Sequence, residues 1–231
     1  MIRVVFIDID DTLLSFKGYV VEAMTKGFEK FGLPRYEDSM FPVFHRINTG
    51  LWQQIEQGTL TYEELLEIRW NRIFEALGID FDGRLFEKFF KEHMYHSGVP
   101  EEHAVELLEY LYGKYVICAA SNGPFGQQVN RLRVAGMYEY FTHCFISGAV
   151  GINKPDRGFF DHCFRKLRED GMEDLVPGEC VMIGDSLTSD IAGGKRYGME
   201  TIFYDRGKDP SEDLSDCDYV VGSLDEIKEI L

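Results

Sequence analysis

Short runs of apolar, β-branched and aromatic residues recur along the 231-residue chain, at residues 3–7, 115–120, 143–146, 180–183, 201–204 and 219–221. Each has the length of a buried strand. From the second run onward they alternate with stretches of helical spacing at residues 101–112, 125–135, 156–168 and 189–197. Strand, helix, strand with short connections predicts an α/β fold, a parallel sheet covered by helices on both faces. In such sheets ligands bind at the carboxyl ends of the strands. Asp8, Ser121 and Asp185 would stand at those ends.

Residues 17–96 break this rhythm. "YVVEAMTKGFEKFG", "YEELLEIRWNRIFEALG" and "RLFEKFFKEHMYH" carry helical spacing, the first two closed by glycine, and no strand pattern falls among them. The pattern therefore predicts a Rossmann-like core of residues 1–16 and 97–231, interrupted by an all-helical domain of residues 17–96. There is no internal repeat and no low-complexity segment.

Composition narrows the class. An apolar fraction of 45% with 14% aromatic residues supports a sizeable core. The formal charge of -16 disfavours a nucleic-acid polymer as partner, because such binding relies on clustered Lys and Arg. A small phosphate ester needs only a local positive site and stays open. The five cysteines are scattered without a CxxC pair and read as reduced thiols. No apolar segment approaches the roughly 20 residues that span a bilayer. A soluble cytoplasmic protein with no membrane partner is expected, as a monomer or homodimer.

Four stretches can carry chemistry. "VVFIDIDDTLL" drives an apolar strand into Asp8, Asp10 and Asp11, and crowded carboxylates repel unless paired or metal-bound. With Asp8 and Asp10 ending a central strand, one carboxylate can attack while the other handles protons, and a divalent cation offsets their repulsion. The plainer reading, Asp capping a turn, would be preferred without the DxDxT spacing. "VICAASNG" places Ser121 and Asn122 where a hydroxyl and main-chain N–H groups can hold a phosphate, although a Ser-Asn-Gly turn is an equal reading. "GINKPD" offers Lys154 ahead of Pro155, a natural first residue of a helix. An isolated loop lysine is ordinarily a solvated group. "VMIGDSLTSDIAGG" repeats the opening logic, with Asp185 at a strand end and Asp190 five residues later, where it can also sit in the first turn of a helix. His93 and His96 share a helix face but no further ligand pattern accompanies them, and neither GxxxxGK[ST] nor GxGxxG is present.

In this order the four stretches resemble the haloacid dehalogenase (HAD) superfamily of phosphatases along the whole chain. The resemblance implies Asp8 as nucleophile, Asp10 as general acid/base, Ser121 as the phosphate-binding hydroxyl and Lys154 as the charge-balancing lysine. It also implies Mg2+ held by Asp8, the Asp10 main-chain carbonyl and Asp185, with Asp190 as a supporting acid. The helical insertion resembles the subclass I cap, which excludes water and selects the leaving group.

"INTGLWQQIEQGTLTYEELLEIRW" is further similar to the cap of pyrimidine 5'-nucleotidases, on Asn48, Leu51-Trp52, Gly58 and Arg69. "SNG" and "IGDSLTSDI" fit the same group, although Ser121 stands where Thr is commoner. That likeness implies a nucleoside 5'-monophosphate as substrate, with Phe16, Phe44 and Trp52 as aromatic candidates for a base. Phosphatases for phosphoglycolate or sugar phosphates and phosphosugar mutases share the chemistry-bearing residues. A dehalogenase would have no use for Asp10 or Asp185, and a binding protein no need to keep Asp8, Asp10, Lys154 and Asp185 together.

Overall fold

The computed structural model describes residues 1–207 and 213–231. The chain divides into two compact units, one of Met1–Phe16 with Gly98–Leu231, the other of Lys17–Ser97.

The first unit is built on a six-stranded sheet, β1 (Val4–Ile7), β2 (Val116–Ser121), β3 (His143–Ile146), β4 (Cys180–Gly184), β5 (Glu200–Tyr204) and β6 (Tyr219–Val221). Its order is β3-β2-β1-β4-β5-β6 and every pairing is parallel. β1 is flanked on both sides, Ile7 standing opposite Ala119 of β2 and Ile183 of β4. This arrangement reverses the winding direction at β1 and leaves a crevice beyond the carboxyl ends of β1, β2 and β4.

Side-chain alternation sends one half of each strand to each face of the sheet. Val5, Ile7, Ile117, Ala119, Val181 and Ile183 pack with Leu107, Leu108 and Leu111. Val4, Phe6, Cys118, Ala120 and Met182 pack instead with Phe159, Phe160, Cys163 and Phe164. Burial on both faces explains why the strands read as continuous apolar runs rather than alternating ones.

The polypeptide leaves this unit and re-enters it at adjacent points. Ser15 N–H donates to Val99 O at 2.8 Å and Glu101 N–H to Leu13 O at 2.9 Å, so the insertion is tied at its base. That tie, followed by a left-handed His103 (φ 64°), is why the next helix covers Ala104–Leu111 and not the expected residues 101–112.

The second unit contains, among the described residues, four helices: α1 (Phe16–Phe31, its first residue belonging to the other unit), α2 (Met40–Glu56), α3 (Tyr62–Leu77) and α4 (Gly83–Tyr95). Pattern alone picks out three of them. α2 escapes because its buried stripe, Phe44, Asn48, Leu51 and Ile55, includes a polar residue, and Pro42 sits in its first turn. α3 begins with a capping box, Glu64 N–H donating to Thr61 Oγ1 at 3.2 Å and Thr61 N–H to Glu64 Oε2 at 2.8 Å. Its core is aromatic, with Trp70 and Phe86 ring centroids 4.3 Å apart. Gly27 makes room for this packing, since a Cβ there would lie 2.6 Å from the Phe86 ring. No helix among the described residues is long and apolar enough to cross a membrane.

Candidate active site

Asp8 follows the last residue of β1 and its N–H donates to Ile183 O at 2.9 Å, which fixes the main chain at the centre of the strand ends. Its carboxylate is buried and accepts from Lys154 Nζ at 2.8 Å. The same ammonium donates to Asp190 Oδ1 and to Ala120 O, each at 2.5 Å. All three hydrogens of a lysine 1% exposed are therefore used. That burial excludes the plainer alternative of a solvated loop lysine.

The segments that carry these groups are built tightly. Asn122 donates through Nδ2 to Lys154 O at 3.0 Å and accepts at Oδ1 from Lys154 N–H at 2.9 Å, locking the β2 end to the lysine loop. Asn122 was expected among the phosphate-binding groups. Its side chain is committed to the Lys154 main chain, which leaves the expected main-chain N–H as its phosphate contact. Pro155 does not start the following helix; Asp156 caps it, accepting from Gly158 N–H at 2.7 Å, and it spans Arg157–Glu169. At the β4 end, Asp190 lies in a π turn, Leu187–Ile191, ahead of a short helix Ala192–Tyr197, where one helix over 189–197 was expected. Asp190 Oδ2 accepts from Ser186 N–H at 3.1 Å. Gly184 is required there, because a Cβ would meet that oxygen at 2.2 Å.

Asp10 points elsewhere. Its Oδ1 accepts from Arg131 Nη1 at 2.5 Å and its Oδ2 from Gln128 Nε2 at 2.7 Å, both donors buried on the helix Phe125–Val134. Sequence reasoning missed these two residues. They sit at i and i+3 beside Val129 and Leu132, and nothing in a polar residue's identity marks it as facing inward. Asp11 takes a left-handed conformation (φ 58°) and pairs with Arg206, which also reaches Glu101 at 3.2 Å.

One cation shared by two buried carboxylates leaves the site short of positive charge. Burial first, with Asp185 and Asp10 adding and Lys154 opposing, pushes Asp8 up to about 6. Burial likewise pushes Asp190 up to about 6, with Asp8 adding to it and Lys154 opposing. Burial alone would lower the Lys154 ammonium, but Asp190 and Asp8 outweigh it and raise it. Lys154 is shared by Asp8 and Asp190 and Arg131 pairs with Asp10, so these three carboxylates outnumber the two cations bonded to them. Asp8, Asp185 and Asp190 each offer an oxygen, all within 4.8 Å of one another. Three hard oxygen donors in a cluster with more carboxylates than bonded cations suit a divalent cation. Asp10 gives no side-chain oxygen to this group, which leaves its main-chain carbonyl as the atom the resemblance assigns to a metal.

The three aromatic candidates differ. Phe44 is fully buried against Trp70 and Phe90, centroids 5.4 and 5.7 Å away, so it is a core residue with no face left for a ligand. Trp52 is half-buried beside Tyr62, centroids 6.0 Å apart, and Phe16 is half-buried at the start of α1.

A doubly wound parallel sheet with an acidic, lysine-bridged cluster at its central strand ends defines a hydrolase class, and the chain belongs to the haloacid dehalogenase-like hydrolase family, matched over residues 2–198. A magnesium-bound crystal structure of a Bacillus subtilis protein described as the HAD-hydrolase YfnB superposes with a TM-score of 0.88 at 27% identity, covering 100% of this chain and 98% of that one. The pyrimidine 5'-nucleotidase PynA of Streptococcus pneumoniae is 31% identical over 201 residues, 85% of this chain and 81% of the relative. The pyrimidine 5'-nucleotidase YjjG of Escherichia coli is 28% identical over 228 residues, 98% of this chain and 96% of the relative.

Proposed function

We propose that this protein hydrolyses phosphate monoesters through a phosphorylated Asp8, with a pyrimidine nucleoside 5'-monophosphate as substrate. One observation carries the chemistry: the Asp8 carboxylate is held at the end of the central strand by the buried Lys154 ammonium, 2.8 Å away. That contact leaves its second oxygen as the attacking atom.

In the first step an Asp8 oxygen bonds to phosphorus while the bond from phosphorus to the leaving oxygen breaks. Asp10 enters this step protonated, carrying the proton gained in the preceding turnover, and gives it to that oxygen. In the second step Asp10 takes a proton from a water, whose oxygen bonds to phosphorus as the Asp8–phosphorus bond breaks. Inorganic phosphate leaves and Asp8 is restored. Ser121, the Lys154 charge and the Asn122 main-chain N–H would face the charge on the transferring group, the main requirement in phosphoryl transfer, while the Gly123 N–H is taken by Ser147 Oγ at 2.9 Å. Asp8, the Asp10 main-chain carbonyl and Asp185 would hold Mg2+, with Asp190 supporting through Lys154. When bound, the ion supplies positive charge against the phosphoryl oxygens.

The nucleotide reading is supported by the pneumococcal and E. coli relatives. The test is a panel of dUMP, dTMP, UMP, phosphoglycolate and hexose phosphates, with Mg2+ and with EDTA. The expected result is a kcat/KM at least about tenfold higher for a pyrimidine nucleotide, the scale that stacking one base supplies. A sugar phosphate or phosphoglycolate that clearly outperforms every nucleotide would overturn the substrate assignment. No turnover of any phosphate ester would overturn the chemistry as well.

A further inference from the structure

Gln128 and Arg131 lie three residues apart on the helix Phe125–Val134, 1% and 0% exposed. Burying an amide and a guanidinium is costly unless they are paired. Their pairing runs in one direction. Arg131 Nη1 donates to Gln128 Oε1 at 2.9 Å, and Gln128 Nε2 donates both to Asp10 Oδ2 at 2.7 Å and to Ser121 Oγ at 3.0 Å.

A guanidinium can only donate, so the amide oxygen must face Arg131 and its two N–H groups must face Asp10 and Ser121. The flipped amide would set donor against donor and oxygen against carboxylate. Ser121 Oγ then accepts from Gln128, and its own proton has to point away from that amide. Its acceptor within the protein is Asn122 O at 3.4 Å, long for an O–H···O hydrogen bond. An oxygen of a phosphoryl group at the β2 end would accept it at closer range.

We propose that Gln128 is a positioning residue which, through one amide, fixes the plane of the Asp10 carboxylate and turns the Ser121 hydroxyl into a donor toward the phosphoryl group, with Arg131 setting that amide's orientation. This rests on the phosphoryl-transfer reading above. The proton-handling residue and the phosphate-binding hydroxyl are thus aligned by one side chain.

The test is a double-mutant cycle on the full protein with Mg2+, read as the rate of phosphoenzyme formation in single turnovers. Gln128→Met removes the donors and keeps the bulk. Gln128→Glu keeps the shape and the partner for Arg131, but turns the donor into an acceptor, so Ser121 would donate to it. We expect Gln128→Met to cost about 10- to 100-fold and Gln128→Glu more, on the scale of a lost oriented donor. Ser121→Ala should cost about tenfold or more in the parent and no more than about twofold with Gln128→Met, since the hydroxyl is then no longer directed. Melting temperatures verify folding, and Gln128→Glu carries the same cycle if Gln128→Met does not fold. A residue that merely anchors its helix would leave the Ser121→Ala factor unchanged, and equal factors in both backgrounds overturn the inference. A parent protein that turns over no phosphate ester would overturn the underlying reading and this one with it. An active parent with additive variants overturns only this one.

Discussion

Lys154 serves Asp8 and Asp190 at once, and that one-to-two ratio governs the behaviour of the metal-free site. Both carboxylates are raised from the usual 3.8 to about 6. A folded-state value above the unfolded one gives stability that is complete below the unfolded value and lost as pH rises through the folded value. These two groups therefore favour the metal-free fold as pH falls from about 7 to about 4. Asp8→Asn removes one of them. Without metal, the variant should melt above the parent near about pH 7.5, the difference shrinking toward about pH 5, and Mg2+ should raise the parent more than the variant. A pH-independent difference in thermal melts would contradict the charge balance. Asp10 makes a separate prediction. Asp10→Asn should slow phosphoenzyme formation from alkyl phosphates at least about tenfold more than from p-nitrophenyl phosphate, whose leaving group needs little protonation. Equal losses in rapid-quench rates would remove its acid role.

The elements differ in how far the sequence announces them. Val4–Ile7 and Cys180–Gly184 are legible because burial on both faces demands unbroken apolar runs, and the carboxylates that end them stand out against that background. α3 is legible through its helical spacing and the closing Gly78, while its start is set by the Thr61–Glu64 capping box. α2 is not, because Asn48 occupies a core position, where it accepts from Arg69 Nη1 at 3.1 Å. Arg69 in turn donates to Glu87 through Nε at 3.0 Å and Nη2 at 2.6 Å, all three residues being buried. Gln128 and Arg131 are hidden for the same reason: a buried polar group looks in sequence like a solvated one, and only its partner distinguishes them. The helical unit's ion pair gives a test at this scale. Glu87→Leu should destabilise by about 3 kcal/mol or more by stranding the guanidinium, and adding Arg69→Met should recover much of that loss. Denaturant midpoints read both. A double variant as unstable as the single would show that the pair contributes more than mutual neutralisation.

At the scale of the whole molecule, the haloacid dehalogenase-like fold brings the candidate site to the point where the winding of the sheet reverses, and the helical unit enters the chain shortly after Asp8, Asp10 and Asp11. The proposed mechanism gives the acidic groups at the strand ends a divalent cation to hold, and that proposal is testable. EDTA should abolish hydrolysis, Mg2+ should restore it, and Asp185→Ala should weaken the restoration by about tenfold or more in the Mg2+ concentration required. Full turnover after chelation, with metal content verified, would contradict the proposed ligand set. The most direct measurement is chemical trapping of the intermediate. Acid quench of the protein during turnover, borohydride reduction and peptide mass spectrometry would convert an acyl phosphate on Asp8 to homoserine. The account predicts homoserine at position 8, appearing only with substrate and absent from Asp8→Asn. Steady hydrolysis with Asp8 unmodified, or the phosphoryl group recovered on another side chain, would contradict it.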